Sequence, residues 1–249
     1  MDDIDQCSVG NRLLALMPKA DFALLQPHLT RVELPLRHVL SEPHQPIEHA
    51  HFLESGISCV VSDRGARPQT EIGVCGREGM VGITLVFGSD RTPHLHFMQV
   101  SGAGLRIAAA ALSGAIEHSR PLHKFLLRYA LVFGLHTSLT AVANVTQQTE
   151  ERLARWLLIC EDRLDSGNVP LTHELLAGML GVHRPGVTEA IHVLVGRGCI
   201  EARRGLIVVL NRPELKRLAG ASYGVVEAEY ERLIGPMVAT KQWPDRSRA

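Results

Sequence analysis

Leu171–Gly198 reads LTHELLAGMLGVHRPGVTEAIHVLVGRG, the texture of two short helices joined at a glycine. Thr172 is a good N-cap, and Leu175, Leu176, Met179 and Leu180 supply the apolar face of a first helix. Gly181 offers the positive φ that a tight interhelical turn needs, and the small Ala177 lets a second helix approach. Val182, Val187, Ile191 and Leu194 make the inward stripe of that second helix, leaving His183, Arg184, Thr188, Glu189 and His192 outward. Donors and acceptors at the N-terminal end of such a helix are the groups with which a helix-turn-helix touches base edges. The same pattern also fits any pair of short helices joined by glycine, so its surroundings decide.

Downstream, Ile200–Arg203 and Leu206–Leu210 flank Arg204-Gly205, a short hairpin with arginines at its tip. A helix-turn-helix followed by such a hairpin is a winged helix, whose wing places Arg203 and Arg204 near a phosphate backbone. Upstream, Leu153, Trp156, Leu157, Cys160 and Leu164 follow helical spacing, and Ser166-Gly167-Asn168 breaks the run. Leu215–Leu218 begins a closing helix, and the end beyond Gln242 is expected to be loose.

From Pro121 to Val145 a long helix is expected. Phe125, Tyr129, Val132, His136, Leu139, Ala143 and Thr146 alternate at spacings of four and three, the seam of a coiled coil and therefore a candidate dimer contact. A second stripe, Leu127, Leu131, Leu135, Val142 and Val145, is then free to pack on the preceding domain. A single helix buried on both sides within one subunit fits the pattern as well.

Residues 11–29 read as short helices broken at Pro18 and Pro27. From about Arg31 to Ile107 the texture is that of short strands: Ile57, Cys59 and Val61 alternate, as do Ile72 and Val74, then Leu95 and Phe97. Glycines punctuate these runs at turn spacing, which suggests a small antiparallel barrel or roll and not a βαβ protein. The expected class is α+β. Residues 1–120 form a cyclic-nucleotide-binding-like β-roll, 121–148 a dimerisation helix, 149–235 a winged helix-turn-helix and 236–249 a flexible tail.

Charge fits a reader of base sequence better than a purely electrostatic binder. The 249 residues carry 26 Lys+Arg against 26 Asp+Glu, a net charge of zero. Between Gly167 and Ala219, however, Arg184, Arg197, Arg203, Arg204, Arg212, Lys216 and Arg217 face only Glu174, Glu189, Glu201 and Glu214. The five cysteines are scattered, without a CxxC or a signal peptide, which points to a reduced, cytoplasmic setting. No membrane span is expected, because Arg128, His136 and Asn144 interrupt the apolar stretch from Phe125 to Val145.

Roll, long helix and winged helix, in that order, resemble the Crp/Fnr superfamily of bacterial transcription regulators. The resemblance covers about residues 15–220 and is carried by FLESGISCVV, GREGMVGITLVFG, EERLARWLL and above all LLAGMLGVHRPGVTEAIHVLVGRGCIEAR. It implies a homodimer on double-stranded DNA, reading a two-fold related operator with paired helices and half-sites about one helical turn apart. It also implies that Arg184 reads a guanine, while Pro185 and Gly186 stand where some members have glutamate and threonine. Contact with RNA polymerase and a small-molecule effector in the roll belong to the same expectation.

For such an effector the candidate residues are Gly79, Met80, Gly82, Arg91 and Thr92. The family's nucleotide-binding members hold the ribose with a Gly-Glu-Leu glutamate. Here Gly79-Met80-Val81-Gly82 has no carboxylate, and Arg91-Thr92 is followed by Pro93, so cyclic AMP is not the expected ligand. The iron–sulfur members use an N-terminal cysteine group, whereas this chain has only Cys7 there. The alternative reading is a cyclic-nucleotide receptor whose roll is the main functional site.

The pairs His49/His51 and His94/His96 each fall on one face of a strand, but neither has a further ligand at a recognised spacing. They are read as surface histidines, and no metal or other cofactor is expected. Glu161, Asp162 and Asp165 at a helix end read as a solvated face. The chain has no P-loop, GxSxG elbow or HExxH, and an enzyme is not expected.

Overall fold

The computed structural model describes residues 4–62, 70–164, 168–170 and 173–237. Thr172 and residues 238–249, most of the expected tail, lie outside the described residues. Two short helices open the chain, α1 (Arg12–Ala15) and α2 (Lys19–Leu25), divided at Pro18 as the prolines suggest. The roll follows: β1 (Thr30–Leu34), β2 (Val39–Ser41), β3 (His49–Leu53), β4 (Ile57–Ser62), β5 (Glu71–Cys75), β6 (Met80–Val81), β7 (His94–Val100) and β8 (Gly102–Ala108). They pair antiparallel into two four-stranded sheets, in the orders β1-β8-β3-β6 and β2-β7-β4-β5. The alternation of Ile57, Cys59 and Val61 is present in β4, yet Ser58 and Val60 between them are buried too. A strand covered on both faces keeps only part of the two-residue period.

After α3 (Ala109–His118) the chain enters α4 (Arg120–Thr146). Ser119 caps α4 by accepting the Leu122 amide at 3.2 Å, and Pro121 sits in the first turn, where its missing N–H costs nothing. Next come α5 (Thr149–Arg163), β9 (Asn168–Pro170), α6 (His173–Leu180), α7 (Arg184–Gly196), β10 (Ile200–Arg203), β11 (Leu206–Val209), α8 (Arg212–Ala219) and α9 (Val225–Leu233). The strands β10-β11-β9 form a small antiparallel sheet beside the helices. By length and apolarity α4 could cross a membrane; here Leu122, Leu126, Ala130 and Val132 are packed inside the chain.

The two stripes of α4 lie opposite to the sequence expectation. Phe125, Tyr129, Val132, His136 and Ala143 are buried in the same chain, at 2–7% exposure, and Leu139 is half-buried against the same core. They pack on the roll and on α9, whose Val226 and Tyr230 close over them. The stripe assigned to the roll faces outward instead: Leu131 is 63%, Val142 55% and Val145 86% exposed, with Leu127 and Leu135 half-buried. Gly79 shows how tight the inner face is, since a Cβ there would stand 1.9 Å from the Tyr129 hydroxyl. A helix periodicity defines two faces but not their neighbours, and the deciding neighbour, α9, was absent from the expectation.

Two further expectations are corrected by burial. Glu161 and Asp162 are no solvated face: both are buried, and Arg212 reaches over to contact both carboxylates, with Asp162 at 2.5 Å. His51 and His96 are buried and His49 and His94 half-buried, so these are not surface histidines. Burial holds His51 and His96 down at about 4, which makes them neutral imidazoles at neutral pH. Among the described residues no group of three or more His, Cys, Asp or Glu is placed to hold a metal ion.

Candidate nucleic-acid interface

The turn between α6 and α7 follows from its residues. Leu176, Met179 and Leu180 are buried, and α6 ends where Gly181 takes φ +60°. The Gly181 amide donates to the Gly178 carbonyl at 3.2 Å, and the Val182 amide to the Ala177 carbonyl at 3.1 Å. That pair of bonds is a Schellman closure, which needs the left-handed residue that glycine adopts without strain. His183 is extended and starts α7, with Arg184 and Pro185 in its first turn. Val187, Ala190, Ile191 and Leu194 bury one face of α7.

The opposite face carries Arg184, Glu189 and His192, all exposed, next to the exposed His183. Thr188 is half-buried, and its hydroxyl lies 3.3 Å from His173 Nδ1 and 3.2 Å from the Arg184 carbonyl. It therefore braces α7 against α6 as well as bordering the outward face. His183 caps α7 without a side-chain bond; Pro185 has no N–H, and the Gly186 amide donates to the His183 carbonyl at 3.0 Å, so the exposed side chains of this end, not its amides, are what it presents.

The hairpin is in register as expected: Arg203 pairs with Leu206, and Gly205 takes φ +72° at the tip. Arg203 and Arg204 are exposed, but they differ in what holds them. Arg203 makes two bonds to Glu201, at 2.8 and 3.0 Å, whereas no ion pair is found for Arg204 among the described residues. A phosphate must displace a carboxylate to reach Arg203. Arg217 is likewise joined to Glu214, and Arg212 is held by Glu161 and Asp162, so three of the seven cations counted in this region have carboxylate partners. With Arg203 included in those three, Arg184, Arg197, Arg204 and Lys216 remain; all four are exposed.

The helix that leads into the reading domain, α5, is tied to the roll through a buried polar junction that no sequence pattern announced. Arg163 donates to Glu78 at 2.8 Å, with side chains only 3% and 5% exposed. Trp156 Nε1 donates to both carboxylate oxygens of Glu71, at 3.1 and 3.2 Å. Burial pushes the Glu71 carboxyl up to about 7, against the opposing pull of Trp156, Arg155 and Arg163. His136 Nε2 accepts the Val74 amide at 3.3 Å, and burial, then Arg163 and Arg155, hold the imidazole well below its ordinary range. These residues link β5 and the following loop to α4 and α5.

The five roll residues proposed for a ligand do not converge. Gly82 and Thr92 line a cavity between the roll and α4. Gly79 packs on Tyr129, Met80 belongs to the core, and Arg91 is exposed with Asp90 3.7 Å away. Glu78, immediately before Gly79, is turned away to Arg163.

Residues 151–218 match the Crp-like helix-turn-helix domain. No curated protein matches the sequence. Solved structures share the fold at low identity. FixK2 from Bradyrhizobium japonicum is 16% identical, with 78% of this chain and 98% of that one covered and a TM-score of 0.67. A CRP-family transcriptional regulator from Thermus thermophilus is 16% identical, with 77% and 97% covered and a TM-score of 0.62. The c-di-GMP-responsive global regulator CLP of Xanthomonas campestris is 16% identical, with 77% and 99% covered and a TM-score of 0.57. The chain thus carries a Crp-like, DNA-binding helix-turn-helix domain on a fold that it shares with CRP-family transcriptional regulators.

Proposed function

We propose that two copies of this chain dimerise along the exposed face of α4 and read a two-fold related operator with paired α7 helices. The observation that carries the reading is the exposed N-terminal end of α7, where Arg184 has no ion pair among the described residues, with the Arg204 wing tip in the same domain. Arg184 reads the O6/N7 edge of a guanine, and Glu189 accepts from a cytosine amine. His183 and Thr188 add readout at the same end of the helix, while Arg204, Arg203 and Thr172 position phosphates. The dimer contact is the stripe Leu127, Leu131, Leu135, Val142 and Val145, an apolar seam of which one chain leaves Leu131, Val142 and Val145 exposed and Leu127 and Leu135 half-buried. The protein acts in the cytoplasm, takes a small-molecule effector in the roll and contacts RNA polymerase once bound.

Selection of bound sequences from random DNA tests the proposal. Two inverted half-sites centred about 10–10.5 base pairs apart are expected. Enrichment of a single asymmetric site, or of none, would refute it. The rival reading, a cyclic-nucleotide receptor, lacks support in the cavity itself, where no carboxylate or guanidinium is found among the described lining residues.

A further inference from the structure

The match to the reading domain ends at residue 218, and the described chain goes on to Met237. The first part of this continuation is bonded to the reading half. The Ala219 carbonyl accepts from Gln147 Nε2 at 2.9 Å, and the Ser222 carbonyl from Arg155 Nε at 2.9 Å. The Tyr223 hydroxyl accepts from Arg212 at 2.6 Å and donates to Asp162 at 2.5 Å. Gly224 then takes φ +103° and begins α9.

The second part is packed on the other half. Val226, Tyr230 and Met237, at 1–5% exposure, join the core that α4 makes with the roll and the N-terminal helices. A Cβ built on Gly235 would stand 3.2 Å from Leu16, just past α1. Where Val226, Tyr230 and Met237 meet Tyr129, His136 and Arg163, the space left is about 10 Å³, no more than one water fills. Tyr230 and Arg163 share a partner: Tyr230 donates to the Glu78 carbonyl at 2.7 Å and Arg163 to its carboxylate at 2.8 Å. Helix α9 therefore covers the buried junction between α5 and the roll.

Residues 219–237 thus tie the two halves a second time, away from the joint between α4 and α5. Tyr129 and Val132 lie 15 to 18 residues before Gln147, roughly 22–27 Å along α4. A body held at one joint can turn about it, whereas one also held that far away cannot. In the held position Thr70 of the roll lies against the turn before the reading helix, where a Cβ on Gly181 would stand 3.5 Å from its methyl. Arg184 is three residues on, at most about 11 Å away. With α7 seated in a groove ~8.5 Å deep, the roll at Thr70 would stand beside the wall of the duplex.

We propose that residues 219–237 are an autoinhibitory strap, which holds the reading domain closed against the roll and must release at α9 before α7 is fully seated on DNA. The second part rests on the DNA reading above. Release uncovers the Glu78–Arg163 pair, and an ion pair open to water holds its partners more weakly, so the domain is then free to turn. Operator affinity is set by the fraction of chains that are open, and anything that loosens the strap raises it.

The test uses the full chain, the operator selected from random DNA, and three substitutions in α9. Tyr230→Phe keeps the ring and removes one hydrogen bond, and should raise the open fraction about two- to tenfold. Val226→Glu places a charge in the packed face and should raise it at least about tenfold. Glu231→Gln, on the exposed face, should change nothing. Amide exchange at residues 145–149 reads the opening directly, and anisotropy with labelled operator reads affinity; both are expected to rise together. Thermal melts show which variants are folded, and Tyr230→Phe decides alone if Val226→Glu is not. Unchanged exchange at the joint in the folded variants, or an equal effect of Glu231→Gln, overturns the strap. Faster exchange with unchanged or weaker operator binding overturns autoinhibition. Failure of the native chain and all variants to bind any DNA refutes the DNA reading instead and leaves the exchange measurement to decide the strap.

Discussion

Glu71→Gln should make the protein more stable with rising pH relative to the native chain. The Glu71 carboxyl is buried and has no cation within ion-pair distance among the described residues; its hydrogen-bond donor is the neutral Trp156 indole, at 3.1 and 3.2 Å. Burial raises it from 4.5 to about 7, so the folded chain keeps a proton that the unfolded chain has released across that window. Below pH ~4.5 both states are protonated and the group is neutral toward folding. Stability falls as pH rises through the window and levels off above ~7, by which point the loss is ~3 kcal/mol at ~1.4 kcal/mol per pH unit. Glutamine keeps an oxygen for Trp156 and has no charge to desolvate. Its extra N–H sets a constant offset, but the difference between variant and native chain should still grow by ~3 kcal/mol between pH 4.5 and 8. For a chain of this size that is a relative rise in Tm of roughly 6–12 °C. His51 and His96, lowered to about 4, tilt both proteins the opposite way and cancel in the difference. Urea unfolding of both proteins across this range measures the curve. A difference that stays flat within ~0.5 kcal/mol would show that Glu71 is not desolvated as described.

Three other outcomes are expected. Arg184→Ala should cost about 1–3 kcal/mol in operator affinity and relax preference at one base pair, read by competition with operators altered at single positions; unchanged preference would misplace α7 on DNA. Leu131→Glu should weaken a dimer by about 3–6 kcal/mol, since two leucines are withdrawn and two like charges face each other, and sedimentation should show a folded monomer; Phe125→Ala should lower stability by ~3–5 kcal/mol instead, because Phe125 is already in the core of one chain. Glu78→Ala strands the buried Arg163 guanidinium and should destabilise the chain by about 3–5 kcal/mol in urea unfolding, with a smaller loss pointing to water entering the junction.

The parts legible in the sequence are those whose determinants are close together along the chain. Gly181 sets the turn, its own amide donating to Gly178 and the following Val182 amide to Ala177, and Gly205 closes a hairpin between adjacent strands. Both need only local geometry, so residue type and spacing suffice. The exchanged faces of α4 mark where that information ends. Both stripes are apolar and helically spaced, and the choice between them depends on α9, some eighty residues beyond, whose Tyr230 donates to the Glu78 carbonyl at 2.7 Å. VVEAEYERL, at Val225–Leu233, carries its apolar groups at helical spacing and was the signal available for it. The roll residues failed for a related reason. Gly79 and Gly82 are three apart on either side of β6, yet one abuts Tyr129 and the other borders the cavity. Glu71 and Glu78 had no pattern at all, since their partners are 85 residues away on α5.

A chain with no net charge can still present a positive surface to DNA, and burial is how this one does so. Arg163 and Arg212 are held by acids inside the fold or at its edge, and Arg155 is buried with its Nε donating to the Ser222 carbonyl. Such arginines position the helices and are removed from the reading surface. The acids they hold, Glu78, Glu161 and Asp162, are withdrawn from the surface with them. What remains outward around α7 and the wing includes Arg184, Arg197, Arg204 and Lys216, and of the acids nearby Glu201 and Glu214 are already engaged by Arg203 and Arg217. Because the field near a duplex is set by charges within about a Debye length, ~8–10 Å, this local imbalance matters more than the sum over the chain. It also makes the wing adjustable: Glu201 can hold Arg203 in the free protein and yield it to a phosphate, so replacing Glu201 by Gln should strengthen binding to all sequences alike and leave sequence preference unchanged.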